Sequence, residues 1–269
     1  MIIVDNNHHT TKTIAIDENT TIDFIEVKGG IFEMGGESWN NDSSKPIHQV
    51  ELDTFWIAKY PVTQAQWQAV ILQADKKNIK HSLNPKCSRF EGENRPVERV
   101  SWHDCQSFLG LCNQILLSSQ FSLPTEAQWE YAARGGIHWK DNHQWAGTNI
   151  ESHLKNYAWY DESAFGQTMP VGLKMPNQLG IYDMTGNVWE WCEDKYDSNY
   201  YTLCDEQNQK NREIVKNPVN KDSNTTHFVN RGGSYFYDAV ACAVRYRYYY
   251  DAVNRHDNIG FRCVVVFQL

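Results

Sequence analysis

RGGSYFYDAVACAVRYRYYYDAVNRHDNIGFRCVVVFQL, residues 231–269, closes the chain, and the rest is read outward from it. Its fixed-looking parts are Arg231 to Tyr235 and Asn258 onward. Between them, Tyr235 to Asn258 holds six Tyr, four Ala, three Val, three Asp, three Arg, two Asn and one each of His, Phe and Cys. It holds no Lys, Glu, Gln, Met, Trp, Ser or Thr, although the chain has fifteen Lys and sixteen Glu, all before Asp222. Lys and Glu rank among the commonest residues of soluble domains, so their absence needs a reason.

Two reasons compete. Tyr, Phe and Val suit strands, so the segment reads as a tyrosine-rich core hairpin, with Gly-Phe-Arg-Cys-Val as a last buried strand. It also reads as a binding surface: Tyr gives rigid amphipathic contact area at low entropic cost, and Ala and Asp between the rings leave room for a partner.

With 269 residues, 41% hydrophobic and 13% aromatic, the chain has material for a real core and does not read as disordered. The net charge of −8, with Lys and Arg scattered, argues against nucleic acid, which needs clustered positive charge. No run approaches the roughly 18 apolar residues of a membrane span. The seven cysteines are odd in number and irregular in spacing, with no CxxC or paired Cys and His zinc pattern.

TIDFIEVKGGIFEMGG, from Thr21, reads as a hairpin turning at Gly29-Gly30, and HQVELDTFWIAKYPVT as another strand pair. Thr63, Ser101 and Thr125 each begin a helix. Trp67, Val70 and Ile71 mark the core face of the first, and Trp102, Cys105, Phe108, Leu109, Cys112 and Leu116 that of the second. In the third, Gln128 completes a capping box and Gly135-Gly136 stop the helix. After Gly136 few segments are periodic. Residues 1–21 read as an arm or edge strand and 22–269 as one domain.

GGIFEMG (Gly29–Gly35), PVTQAQW (Pro61–Trp67), RPVERVSWHDC (Arg95–Cys105), LPTEAQWEYAARGG (Leu123–Gly136), NQLGIYDMTGNVWEW (Asn177–Trp191), RGGSY (Arg231–Tyr235) and NIGFRC (Asn258–Cys263) resemble, in order, the signature blocks of the formylglycine-generating enzyme, or sulfatase-modifying factor, family. The resemblance implies an α+β fold of the C-type-lectin-like kind: two main helices, a small twisted antiparallel sheet and much ordered loop.

The enzyme of that family oxidises a substrate cysteine with a copper-binding cysteine pair shortly after RGGS. Cys242 matches the second of the pair, but Tyr237 holds the first position, and a phenol is a poor substitute for a soft thiolate on copper. A second branch carries three iron-binding histidines on an extra helical domain that has no counterpart here.

The segment also resembles that of the variable proteins of diversity-generating retroelements, which share this fold and vary between RGGS and IGFR. There, adenine-directed mutation of AAC or AAT codons never yields Lys, Glu, Gln, Met or Trp. The resemblance implies a diversified, non-catalytic ligand-binding protein, exported or displayed on a bacterial cell surface or phage, whose partner is a protein or cell-surface ligand. The expected ligand-binding residues are Tyr235, Tyr237, Asp238, Tyr246, Tyr248, Tyr249, Tyr250, Asp251, Asn254 and His256; the plainer alternative has Arg245, Arg247 and Arg255 only bracing loops and, by strand alternation, about half of the tyrosines pointing into the core. No cofactor is required. Calcium is a further ligand the resemblance admits, at Asp183 and Glu190, with Asn156 and Asp161 near a second site. The alternative is a formylglycine-generating oxidoreductase acting on a protein cysteine.

Overall fold

Each of the three helices marked in the sequence begins on its expected cap. Thr63 accepts from the Gln66 N–H at 3.2 Å while the Gln66 side chain accepts from the Thr63 N–H at 2.9 Å. Ser101 with Asp104 and Thr125 with Gln128 repeat the reciprocal pairing, so backbone donors left over at each helix start are satisfied locally. Gly135 and Gly136 end the third helix in the left-handed region, at φ 85° and 58°.

The computed structural model describes residues 2–4, 10–36, 42–221 and 224–267, so the His8-His9 pair and residues 37–41 of the polar loop lie outside it. In chain order come β1 (Ile2–Val4), β2 (Thr10–Ala15), β3 (Thr21–Val27), β4 (Gly30–Met34), β5 (His48–Leu52) and β6 (Phe55–Ala58). Helices α1 (Gln64–Lys76) and α2 (Trp102–Ile115), strand β7 (Ser119–Ser122) and helices α3 (Glu126–Ala133) and α4 (Glu151–Leu154) follow. Then come β8 (Trp189–Lys195), α5 (Tyr200–Asn211), β9 (Val215–Lys216), β10 (His227–Arg231), β11 (Tyr248–Asp251), β12 (Ile259–Gly260) and β13 (Val264–Phe267).

The strands form sheets ordered β1-β2-β3-β6-β13-β7, β11-β10-β8-β12 and β4-β5-β9. Pairing is antiparallel except for β12 with β8 and β5 with β9. The Gly29-Gly30 hairpin and the β5/β6 pair expected from sequence are not formed. Strand β3 pairs with β6 and β4 with β5, so both connections cross between sheets. The two corners touch: a Cβ at Gly29 would lie 2.4 Å from the Leu52 carbonyl oxygen and 2.7 Å from the Thr54 nitrogen. Only glycine admits that approach, so the Gly-Gly signal marks a crossing of chains and not a tight turn.

One core lies where α1 and α2 cover the six-stranded sheet, with Trp67 stacked on Phe108 at 5.0 Å and Cys105 and Cys112 on the buried helix face. A second surrounds α3, where Trp129 and Tyr131 meet Phe32, Val50, Val229 and Val264. Helix α5, not expected from sequence, buries only Tyr201 and Cys204 of its own residues and lies against β5 and β9. The closing run is two strands, not one. Ile259–Gly260 joins β8, and Val264–Phe267 joins β6 and β7.

Candidate ligand-binding face

Strand β11 brings three tyrosines of the 235–258 segment onto β10, with Tyr248 opposite Asn230, Tyr249 opposite Val229 and Tyr250 opposite Phe228. Strand alternation puts Tyr248 and Tyr250 on one face and Tyr249 on the other. On the first face Tyr248 stacks on Trp189 of β8 at 5.3 Å and 23°, while Tyr237 meets the same indole edge-on at 5.3 Å and Tyr246 lies 6.1 Å away. Tyr250 extends the row toward Trp191 at 6.4 Å and His256 at 4.9 Å. The hydroxyls of Tyr237 and Tyr250 are 3.4 Å apart. On the opposite face Tyr249 stacks on Tyr196 at 4.0 Å.

Buried ion pairs fix the segment to the fold. Arg231 donates to Glu126 at 2.6 Å, Glu130 at 2.7 Å and the Val244 carbonyl at 2.5 Å. Arg247 grips both oxygens of Glu126, at 2.7 and 2.9 Å. Burial pushes the Glu130 carboxyl upward, but Arg134 and Arg231 outweigh it and hold the group at about 2. Glu126 is likewise lowered by Arg247 and Arg231 against its burial. Further along, Arg255 donates to Asp104 of α2 at 2.7 and 3.0 Å. Arg245 donates to Asn142 at 3.1 Å. All three arginines of the segment therefore brace it.

The expected site residues divide into groups. Tyr237, Tyr246, Tyr248 and Tyr250 are half-buried and share the ring face, and His256 is exposed at its edge. Asp238 and Tyr249 are also exposed, Tyr249 on the far side of the strand. Asp251 and Asn254 brace the bend after β11: Thr226 donates to Asp251, and the Asp251 N–H donates to Asn254 at 3.1 Å. Tyr235 corrects the expectation of an exposed ligand residue. It is 3% exposed, because its ring packs against Phe90 and its hydroxyl donates to Asp257 at 3.1 Å, the carboxylate that Arg89 also pairs with.

Sequence reasoning passed over Trp189, which floors the face, and Phe236 and Val253, which are 70% and 58% exposed. Phe236 and Val253 lie inside the segment, next to residues expected to bind. Trp189 lies in the Asn177–Trp191 block, which the resemblance singles out for Asp183 and Glu190.

The sulfatase-modifying factor enzyme 1-like domain matches residues 10–266. The chain belongs to that family. It is 29% identical over 308 residues to the formylglycine-generating enzyme of Streptomyces coelicolor, covering 89% of this chain and 88% of that protein. It is 32% identical over 228 residues to the chaperone protein LppX of Paenibacillus barcinonensis, covering 65% and 72%. Among solved structures, Treponema denticola variable protein 1 superposes with TM-score 0.76 and 26% identity, covering 94% of this chain and 98% of that one. PvdO of Pseudomonas aeruginosa shares the fold, with TM-score 0.74 and 20% identity over 96% and 98% of the two chains.

Within this sulfatase-modifying-factor domain, the residues do not fit the copper or calcium that the family suggests. Cys242 is sealed among Trp145, Leu154, Ala158 and Tyr160, a cluster that no other cysteine joins among the described residues. Burial pushes its thiol far up, away from the thiolate that copper needs. Glu190 already accepts from Arg262 twice at 2.7 Å and from the Trp129 indole at 2.8 Å. Its oxygens face donors, so a cation would meet a guanidinium. Asp183, pushed up to about 6 by burial, accepts from the Gly172 N–H at 2.8 Å and from Asn187 at 3.3 Å. Asp183 thus braces a loop, and Glu190 ties β8 to Arg262 and to Trp129 of α3. Asp161, exposed, accepts from the Glu162 N–H at 2.8 Å, and Asn156 accepts from the Met175 N–H through its carbonyl at 2.8 Å. Among the described residues no three His, Cys, Asp or Glu gather as a metal site.

Proposed function

We propose that this chain is a non-catalytic ligand-binding protein whose segment 235–258 is a diversified binding face, its variation supplied by a retroelement. One observation carries the reading: Tyr237, Tyr246, Tyr248 and Tyr250 gather on the indole of Trp189, while buried arginine–glutamate pairs hold the segment from the opposite side of β10. Anchors inside and rings outside let the outer residues change without unmaking the core. The missing residue types in 235–258 and the similarity to a Treponema denticola variable protein support the same reading. Its partner would be a protein or cell-surface ligand, met outside the cytoplasm.

The test exchanges residues 235–258 between natural variants and measures binding to an array of proteins and glycans. Specificity that follows the exchanged segment supports the reading, and specificity indifferent to it overturns it. A near-copy of the coding region for residues 230–263, differing at adenines beside a reverse transcriptase gene, is the expected genetic correlate.

The formylglycine-generating enzymes among its relatives favour a second reading, oxidation of a cysteine in a protein substrate. Oxygen-dependent turnover of a cysteine peptide that is lost in Cys242→Ser would establish it in place of the first.

A further inference from the structure

Asn230 stands where the tyrosine face meets the sheet. Its ladder partners are Tyr248 on β11 and Trp191 on β8. Paired residues direct their side chains to the same side, so the carboxamide is set among the rings of Tyr248 and Trp191, with Trp189 two residues along β8. Asn230 is sealed from solvent, and neither its Nδ2 nor its Oδ1 meets a hydrogen-bonding partner among the described residues. The indole Nε1 of Trp189 and the Oδ1 of Asn258 are buried and unmatched as well. These two residues adjoin, because the Trp189 N–H donates to the Asn258 carbonyl at 2.8 Å. Buried polar groups are nearly always paired, and unpaired ones cost more than an ordinary hydrogen bond returns.

We propose that the floor of the tyrosine face takes a neutral, planar amide group, whose carbonyl and N–H pair with the Asn230 carboxamide while its plane lies against the rings of Tyr248 and Trp189. The proposal rests on the reading of 235–258 as a binding face and names the chemistry that face receives. Asn230 offers one kind of donor and one kind of acceptor side by side, with a further donor at Trp189 and a further acceptor at Asn258. An amide carries the complementary pair, whereas a carboxylate accepts only and an ammonium donates only. An anion would also lack a counterion. Arg231 and Arg247 are matched to Glu126 and Glu130, and Arg262 to Glu190. The hydroxyl contact joining Tyr237 to Tyr250 is 3.4 Å long, beyond the usual range for O–H···O, so these two rings are the ones that must part to admit the amide, while Tyr248 stays stacked on Trp189. Either a peptide or an N-acetylated sugar could supply the amide.

The experiment titrates the ¹⁵N-labelled full chain with N-methylacetamide and follows the Trp189 indole N–H and the Asn230 side-chain NH₂ by NMR. Saturable shifts at both groups are expected, about tenfold weaker with methyl acetate, which lacks the donor, and the Trp189 shift is lost in Asn230→Leu. Asn230→Ser serves in place of the leucine variant if the larger side chain prevents folding. N-acetylglycine methylamide and N-acetylglucosamine then separate the two sources, the tighter of them naming the class. No saturable shift at Asn230 in the wild type, or a Trp189 shift unchanged in both variants, overturns the proposal. So does a long-lived water at Asn230 that N-methylacetamide fails to displace. Shifts confined to Phe236, Tyr249 and His256 overturn the amide slot and leave the binding face standing, whereas the segment exchange above tests the face itself.

Discussion

Trp189 and Tyr248 lie ring on ring, 5.3 Å between centroids, so a residue of the β8 scaffold is packed directly against one from the segment 235–258. The contact divides that segment into side chains that hold the face together and side chains free to differ.

Stability should show that division. Trp189 is fully buried, and Trp189→Ala is expected to cost about 3–5 kcal/mol in urea unfolding. Phe236 and Tyr249 are 70% and 41% exposed, and alanine at either should cost no more than about 1 kcal/mol. Comparable losses at all three positions would make the segment an ordinary core hairpin.

Arg231 should be indispensable to the fold. It is fully buried between Glu126 and Glu130, so Arg231→Ala leaves two carboxylates with less positive charge than they need, at a cost of about 3–5 kcal/mol. Acid acts on the same network. Glu130 titrates at about 2 in the fold against an ordinary 4.5, so its stabilisation is present above 4.5 and is lost as pH falls toward 2. Chemical denaturation at pH 5 and pH 2.5 measures that loss, and equal stability at the two would contradict it.

Glu98 gives a pH dependence of opposite sign. It is fully buried, accepts from the Arg89 and Phe90 N–H groups through one oxygen, and has no partner for the other among the described residues. Burial raises its carboxyl to about 7 from 4.5. The folded state therefore holds the proton more tightly, and the associated stability is complete below 4.5 and lost as pH rises through 7. The shift corresponds to roughly 3 kcal/mol. Glu98→Gln cannot titrate, so the difference between wild type and variant should shrink or reverse from pH 5 to pH 8. A pH-independent difference would show that folding does not raise the Glu98 carboxyl to about 7.

The sequence disclosed what depends on neighbours along the chain. Thr63, Ser101 and Thr125 cap their helices through residues three positions ahead, and the apolar spacing of α1 and α2 marks their buried faces. Partners distant in sequence were less legible. Gly29-Gly30 looks like a turn until the Leu52 carbonyl is found against Gly29, and Tyr235 looks available until Phe90 and Asp257 enclose it. Helix α5 has little apolar periodicity, and its ordering comes from packing and from bonds such as Asn208 to the Gln49 carbonyl at 2.7 Å. For the site, vocabulary located the segment, while only the register of β10 and β11 separated the ring face from Tyr249.

The cysteines offer a chemical check on the absence of an activated thiol. Of the seven, Cys87 alone is partly exposed, and burial raises its thiol to about 11. Cys242 and the rest are buried, and Cys263 is likewise raised by burial to about 12. Since the thiolate is the reacting form, iodoacetamide at pH 8 should label native protein at Cys87 only, roughly 100-fold more slowly than a free thiol. Denaturation should expose all seven to labelling. Rapid modification of Cys242 in the native protein, read by mass spectrometry, would mean that its thiol is accessible and ionised and would shift weight toward the oxidase reading.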